Sequence, residues 1–275
     1  MPPVSFKNPQ TLIFVAALFL PRLMAEEPAK PKDWKTSLGL NLGLNGGNSE
    51  TFTVGGNVLT IKEWGESNAN ILNGGADVNY GTSTLTSVND PGGPNQSLLK
   101  TDTTNVNNYG GFLSYDRLLD QRFYVGGRGS GRHDSIAGVD YRITATTTLG
   151  YYLIRQESLK LSVETGPGYV WEELAGQGGD DYATLRFADN FEWKFTTKSR
   201  LFQSFEYLPQ IDRWGNYVMT TAVGLETQLY KNLALQLVFR DWYRSEPASF
   251  PGTDPRIDRQ NNDYQLTAGV VYNFE

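Results

Sequence analysis

Cysteine is absent from this chain and histidine occurs once, at position 133. The first absence excludes disulfides, thiol chemistry and cysteine-ligated metals. It suits a chain that crosses an oxidising compartment and gains nothing from a free thiol. The second excludes a His-x-x-x-His metal helix. A surplus of positive charge is also missing: 24 Lys and Arg stand against 30 Asp and Glu, a formal net charge of -6. An acidic chain of this kind is no candidate for nucleic acid. Beyond the N-terminus no apolar run reaches the ~20 residues of a spanning helix. Mean hydropathy is -0.42, which taken alone reads as a soluble protein. Nothing in the sequence calls for a metal or a cofactor.

What is present is alternation. In the last segment Tyr264, Leu266, Ala268, Val270, Tyr272 and Phe274 share one face, and Gln265, Thr267, Gly269, Val271 and Asn273 share the other. A strand places successive side chains on opposite faces, so this is one apolar face and one mostly polar face. Twelve such segments are readable. They lie near residues 34–45, 51–62, 69–81, 105–118, 122–133, 141–154, 159–172, 182–196, 200–208, 217–230, 233–243 and 264–274. Leu59 and Ile61 break the parity of the second. The expected fold is all-β: an antiparallel, up-and-down transmembrane β-barrel, apolar toward lipid and polar toward the lumen. The low hydropathy then follows, because half of each strand faces a polar interior. Aromatic residues make up 13% of the chain, as interfacial girdles require. A soluble β-sandwich also alternates, but it has no need of connections that alternate in length.

The connections do alternate. Those at 64–68, 119–121, 155–158, 197–199 and 231–232 are short, whereas 82–104, 134–140, 173–181, 209–216 and 244–262 are longer; only 46–50 on the second side is tight. Short periplasmic turns, long extracellular loops and an even strand number are the bacterial pattern. The N-terminus supplies the address. Lys7 precedes the apolar run 11–20, and Ala25 precedes Glu26, so residues 1–25 read as a cleaved signal peptide and 26–33 as a short periplasmic leader to the barrel of 34–275. Loss of Lys7 and Arg22 moves the charge from -6 to -8.

Several short motifs occur in a fixed order: Gly47-Asn48-Ser49-Glu50-Thr51, Tyr115-Asp116-Arg117, Val139-Asp140-Tyr141-Arg142, Gly150-Tyr151 and Gly166-Pro167-Gly168-Tyr169. Together they resemble the bacterial domain-of-unknown-function family 481, described as salt-induced outer-membrane proteins. The resemblance implies a barrel and a Gram-negative outer membrane, and it brings no catalytic residues. Gly269, Tyr272 and Phe274 resemble the sorting signal read by the barrel-assembly machinery, with Glu275 following the usual terminal aromatic residue.

Parity sorts the charges. Arg128, Arg132, Arg142, Lys160, Arg186, Lys194 and Arg240 point inward, as do Asp77, Asp116, Glu164, Glu172, Glu192, Glu206 and Glu226. An open selective pore carries a ring of one sign. A balanced set predicts an internal salt-bridge network filling a narrow lumen. Asp189 violates the parity, standing outward among Leu185, Phe187, Phe191 and Trp193; either a bulge turns it inward or the register slips there. His133 and Ser135 share a face and resemble the His-x-Ser pair of outer-membrane phospholipase A. They form a candidate base and nucleophile, with Asp140 or Asn190 as orienter. The plain alternative is a polar strand end. The leading expectation is a structural or envelope-stress-related barrel, more plausibly not an enzyme, with a small-solute channel and a lipid hydrolase as alternatives. Its partners are outer-membrane lipid and, during biogenesis, the assembly machinery; it is expected to be a monomer.

Overall fold

The computed structural model describes residues 34–45, 49–66, 69–89, 97–250, 252 and 257–274, with the side chains of 44–45, 49–51, 85–89 and 97–99 left aside. The expected signal peptide, the leader and Glu275 lie outside the described residues.

Twelve strands form one closed antiparallel barrel in sequence order. They are β1 (Trp34–Asn45), β2 (Ser49–Trp64), β3 (Asn70–Asn89), β4 (Ser97–Leu118), β5 (Phe123–Asp134), β6 (Val139–Arg155), β7 (Leu159–Leu174), β8 (Gly178–Lys194), β9 (Ser199–Gln210), β10 (Arg213–Tyr230), β11 (Leu233–Arg244) and β12 (Asn262–Phe274). The ring closes where β12 meets β1, from Thr36↔Phe274 to Asn41↔Gly269. Closure leaves no unpaired edge, which a strand in hydrocarbon cannot tolerate. Gly269 has a packing reason at this seam: a Cβ there would meet the Asn41 side chain and the Leu40 carbonyl.

The outward face is apolar all round. Leu42 is 67% exposed and Leu266 66%, and such residues recur on ten of the twelve strands, which only a lipid solvent makes favourable. Aromatic pairs gather at two levels. Trp64–Tyr115, Trp193–Phe195 and Tyr272–Phe274 lie near the rim that carries the barrel's two ends. Tyr169–Trp171 and the chain Tyr207–Tyr217–Tyr243 lie toward the opposite rim. These are the two girdles expected of a membrane barrel.

The strands run further than the alternation does. The β3–β4 ladder continues to Asn89↔Ser97, the β7–β8 ladder to Leu174↔Gly178 and the β9–β10 pairing to Arg213↔Gln210. Much of the long connecting sequence is therefore hydrogen-bonded hairpin standing beyond the apolar band. Register shifts at Gly81/Thr82 and Arg213/Tyr217 explain why parity missed the first and third, since a bulge breaks the two-residue period, whereas the β7–β8 ladder keeps its register to the tip. Past the first bulge the ladder is polar: Thr84 donates to Asp102 at 2.6 Å and Asn105 to Ser83 at 2.6 Å.

Two irregularities resolve differently from the sequence expectation. Asp189 pairs in unbroken register with Val163 and Phe205. Neither a bulge nor a slip occurs, and Asp189 stays on the outward face. The alternative would have turned Arg186 out of its ion pairs. Leu59 and Ile61 likewise keep regular pairing, opposite Ser37 and Lys35, so they are lumen residues. Leu59 and Phe112 pack where a Cβ on Gly75 would otherwise sit.

Candidate functional site

The lumen is the site, because strand parity aims most of the chain's polar chemistry into it. The densest part lies along β7–β10. Arg186 on β8 donates to Glu164 on β7 and to Glu206 on β9, both at 2.6 Å. Glu164 also accepts from the Tyr124 hydroxyl at 2.7 Å and from Asn190 at 3.3 Å. Nearer the terminal rim Arg200 bridges Glu192 and Glu226, both at 3.0 Å, and Gln236 donates to Glu226 at 3.0 Å. Flanking partners on adjacent strands are what makes a charge tolerable away from bulk water.

A second cluster crosses the lumen at the far rim. Glu172 on β7 is only 2% exposed. It accepts from Arg142 on β6 at 2.7 Å and from Arg244 on β11 at 2.8 Å. The guanidinium of Arg132 on β5, which also pairs with Asp134 at 2.8 Å, stacks 4.1 Å above the Trp242 ring on β11. In a twelve-membered ring β5 and β11 are opposite walls, so the lumen is narrow enough there for side chains to meet across it.

The connection between β11 and β12 continues this closure. Its described residues form a small hairpin with Ser249↔Asp258 as a bridge. The hairpin reaches the β5–β8 rim: Gln177 donates to the Pro247 carbonyl at 2.8 Å and Arg259 donates to the Ile136 carbonyl. Ala248 is fully buried against Val139 and Leu174, with Ala137 beside them. Gly138, at φ 71°, sits where a side chain would strike Ala248 and Arg259. Only glycine fits both that backbone and that contact. Beneath the hairpin lies a cavity of about 320 Å³, bounded by inward residues of β3–β6 and β9–β12.

The site residues expected from sequence divide accordingly. Arg132, Arg142, Glu164, Glu172, Arg186, Glu192, Glu206 and Glu226 are in ion pairs. Arg128 is not; its guanidinium lies 4.0 Å over the Phe112 ring. Arg240 has no ion pair among the described residues, and Lys194 stands exposed at the terminal end of β8. Parity puts a charge in the lumen, but it does not choose its partner. Arg200, Arg244, Asp134 and Trp242 are contributors that the sequence reading left out. Arg244 and Trp242 share the parity of Arg240, so that signal was available; Arg200 was the first residue of its expected strand, and Asp134 was assigned to a loop.

The His133–Ser135 pair is not assembled. His133 Nδ1 lies 2.7 Å from the Asp140 carbonyl oxygen, and its ring stacks on Tyr109 at 4.8 Å. Ser135 donates to the Asn107 carbonyl at 3.3 Å. The bulge at 132/134 ends the shared face between the two. Asp140 offers a backbone oxygen, and Asn190 is engaged with Glu164. Of the sorting residues, Gly269 sits at the closure seam, and Tyr272 and Phe274 form an edge-to-face pair at 4.9 Å.

At the turn between β4 and β5, outside the spanning band, Asp120 accepts from the backbone amides of Arg122 at 2.6 Å and Phe123 at 2.7 Å. The Phe123 amide, followed by that of Arg122, holds its carboxyl below the usual range.

Residues 37–274 match the family described as "Protein of unknown function, DUF481". The chain belongs to this family. Solved structures with similar folds are all distant in sequence. The COG4313 outer membrane channel from Pseudomonas putida F1 aligns with 9% identity and a TM-score of 0.47, over 91% of this chain and 98% of that one. The NanC porin aligns with 10% identity and a TM-score of 0.45, over 86% and 98%. The translocator domain of the autotransporter NalP from Neisseria meningitidis aligns with 13% identity and a TM-score of 0.41, over 96% and 98%. No significant match is found among curated proteins.

Proposed function

We propose that this DUF481 chain is a monomeric, integral outer-membrane barrel whose lumen is shut, serving as a structural, envelope-stress-related element of the membrane rather than an open pore. One observation carries the reading. Non-adjacent strands are tied across the lumen, β11 to β7 by Arg244 on Glu172 and opposite walls by Arg132 on Trp242, while the β11–β12 hairpin seals onto the β5–β8 rim. Open pores keep a continuous aqueous path; here paired charges and a buried apolar contact stand in it. The lipid-facing belt and the signal-like N-terminus support the outer membrane as its place. The closing strand, with Gly269, Tyr272 and Phe274, fits recognition by the barrel-assembly machinery.

A second reading, a gated small-solute channel, is favoured by the cavity of about 320 Å³ beneath the hairpin. Planar-bilayer recording separates the two. The closed reading expects no steady single-channel steps from the wild type and their appearance in Glu172→Gln combined with Trp242→Ala. Steady steps from the wild type would sink it, and steps that come and go with voltage or solute would favour the gated channel.

A further inference from the structure

Two half-buried guanidiniums in the lumen make no ion pair with a described residue. Arg128 on β5 and Arg240 on β11 line the cavity beneath the β11–β12 hairpin. Neither makes an ion pair or a side-chain hydrogen bond to any described residue; Arg128 has only the Phe112 ring beneath it. Their surroundings are under-satisfied too. Arg142 Nη2, also on the cavity wall, is buried without a partner. Gln265, directly opposite Arg240 on β12, has both its amide nitrogen and its amide oxygen buried and unpaired. Arg186 and Arg200, by contrast, each meet two carboxylates at 3.0 Å or less. The Arg142 and Gln265 atoms are buried polar groups of the kind that ordinarily have partners, and the N–H forks of Arg128 and Arg240 are free of carboxylates among the described residues.

The carboxylates around the cavity do not fill that role. Asp134 is taken by Arg132 and Glu206 by Arg186. Asp77 accepts from Asn79 at 3.1 Å and makes no ion pair with a described residue. Asp263, at the rim, is the remaining acidic residue of the lining.

We infer that this cavity is a binding site for a small hydroxylated organic anion, a carboxylate of about the size of one sugar acid. The guanidiniums recognise the carboxylate as planar bidentate donors do. The hydroxyls of Ser130, Thr144 and Thr220 and the amides of Gln260 and Asn261, all on the lining, suit a hydroxyl-bearing body. The rings of Phe112 and Trp242, each carrying a guanidinium on one face, add apolar surface to the lining. The volume, about 320 Å³, lies at the small end of ligand pockets. The inference goes beyond the closed-barrel reading and does not depend on conductance, because equilibrium binding stands or fails whether or not ions pass.

The test is isothermal titration of the folded full-length barrel in detergent with three probes on the same ring: glucuronate, glucose and glucosamine. Saturable binding of glucuronate is expected, with glucose and the cationic glucosamine at least about tenfold weaker, as loss of charge-assisted hydrogen bonds implies. Arg128→Gln and Arg240→Gln should each weaken glucuronate by about tenfold. Retained heat-modifiable gel migration shows that these variants are still barrels. Absence of glucuronate binding, equal binding of glucose, or preference for glucosamine overturns the site. If either variant fails to fold, the three-probe comparison on the wild type still decides. Inorganic phosphate binding as tightly as glucuronate overturns the assignment of an organic body.

Discussion

The two lumen walls solve the same problem differently. Along β1–β4 the interior is lined mainly by asparagine amides, with Asp77 and the apolar Leu59 and Phe112 among them. Asn79 donates to Asn108 at 3.0 Å, and asparagine side chains lie over Gly39, Gly55 and Gly269. Along β7–β10 it is lined by arginine and glutamate in alternating ion pairs. A neutral amide lying on a glycine strand buries polarity without burying charge. A charged wall needs every member, since removing one ion leaves its partners stranded away from water. The difference teaches that polar lumen positions are not equivalent: one wall degrades gradually, the other as a unit.

The largest break in this comparison is Arg186→Ala. It strips the shared partner from Glu164 and Glu206 and should cost about 3–5 kcal/mol of unfolding free energy. Urea unfolding in lipid vesicles measures it, and a loss no larger than that of a surface control would show the network to be ornamental. On the amide-rich wall, Asn79→Ala removes the donor to Asn108 and to Asp77 and should cost less, about 1–3 kcal/mol. If it equals or exceeds Arg186→Ala, the distinction between the walls is wrong.

The inside and outside of β8 sharpen the contrast further. Arg186 is matched within the lumen, whereas Asp189, three residues on, faces lipid beside Val163 and Phe205. Asp189→Leu should stabilise the barrel by about 1 kcal/mol, below the ~2–4 kcal/mol of Arg or Lys at the midplane. Destabilisation in the same assay would place Asp189 in a contact with another molecule.

The smallest effect lies at the terminal-rim turn. Asp120 is matched by backbone amides, and its folded pKa is depressed. Its stabilisation is therefore complete above the unfolded aspartate value of ~3.9 and fades as pH falls through the lower folded value. The amide resonances of Arg122 and Phe123 should titrate with a midpoint below ~3.9; a midpoint at or above it would remove the turn from the comparison.

Much of this was readable in the chain. Period-two alternation in 264–274 and its counterparts set the number of strands, their order and the face each residue takes, because a strand in lipid has one face for each solvent. That rule placed Arg186, Glu164 and Glu206 in the lumen with no structure at hand. Reading stopped where the rule stops. Bulges at Gly81/Thr82 and Arg132/Asp134 broke the period, so the upper hairpins looked like loops and Ser135 lost the face it seemed to share with His133. Pairing was beyond reach for a different reason: face is a local property, but partnership depends on distances across a closed ring. Alternation determined that this protein is a wall with a polar lining. Only the tertiary structure decided that Arg244 meets Glu172 while Arg128 and Arg240 pair with no carboxylate among the described residues, because barrel closure alone brings β11 opposite β5 and near β7.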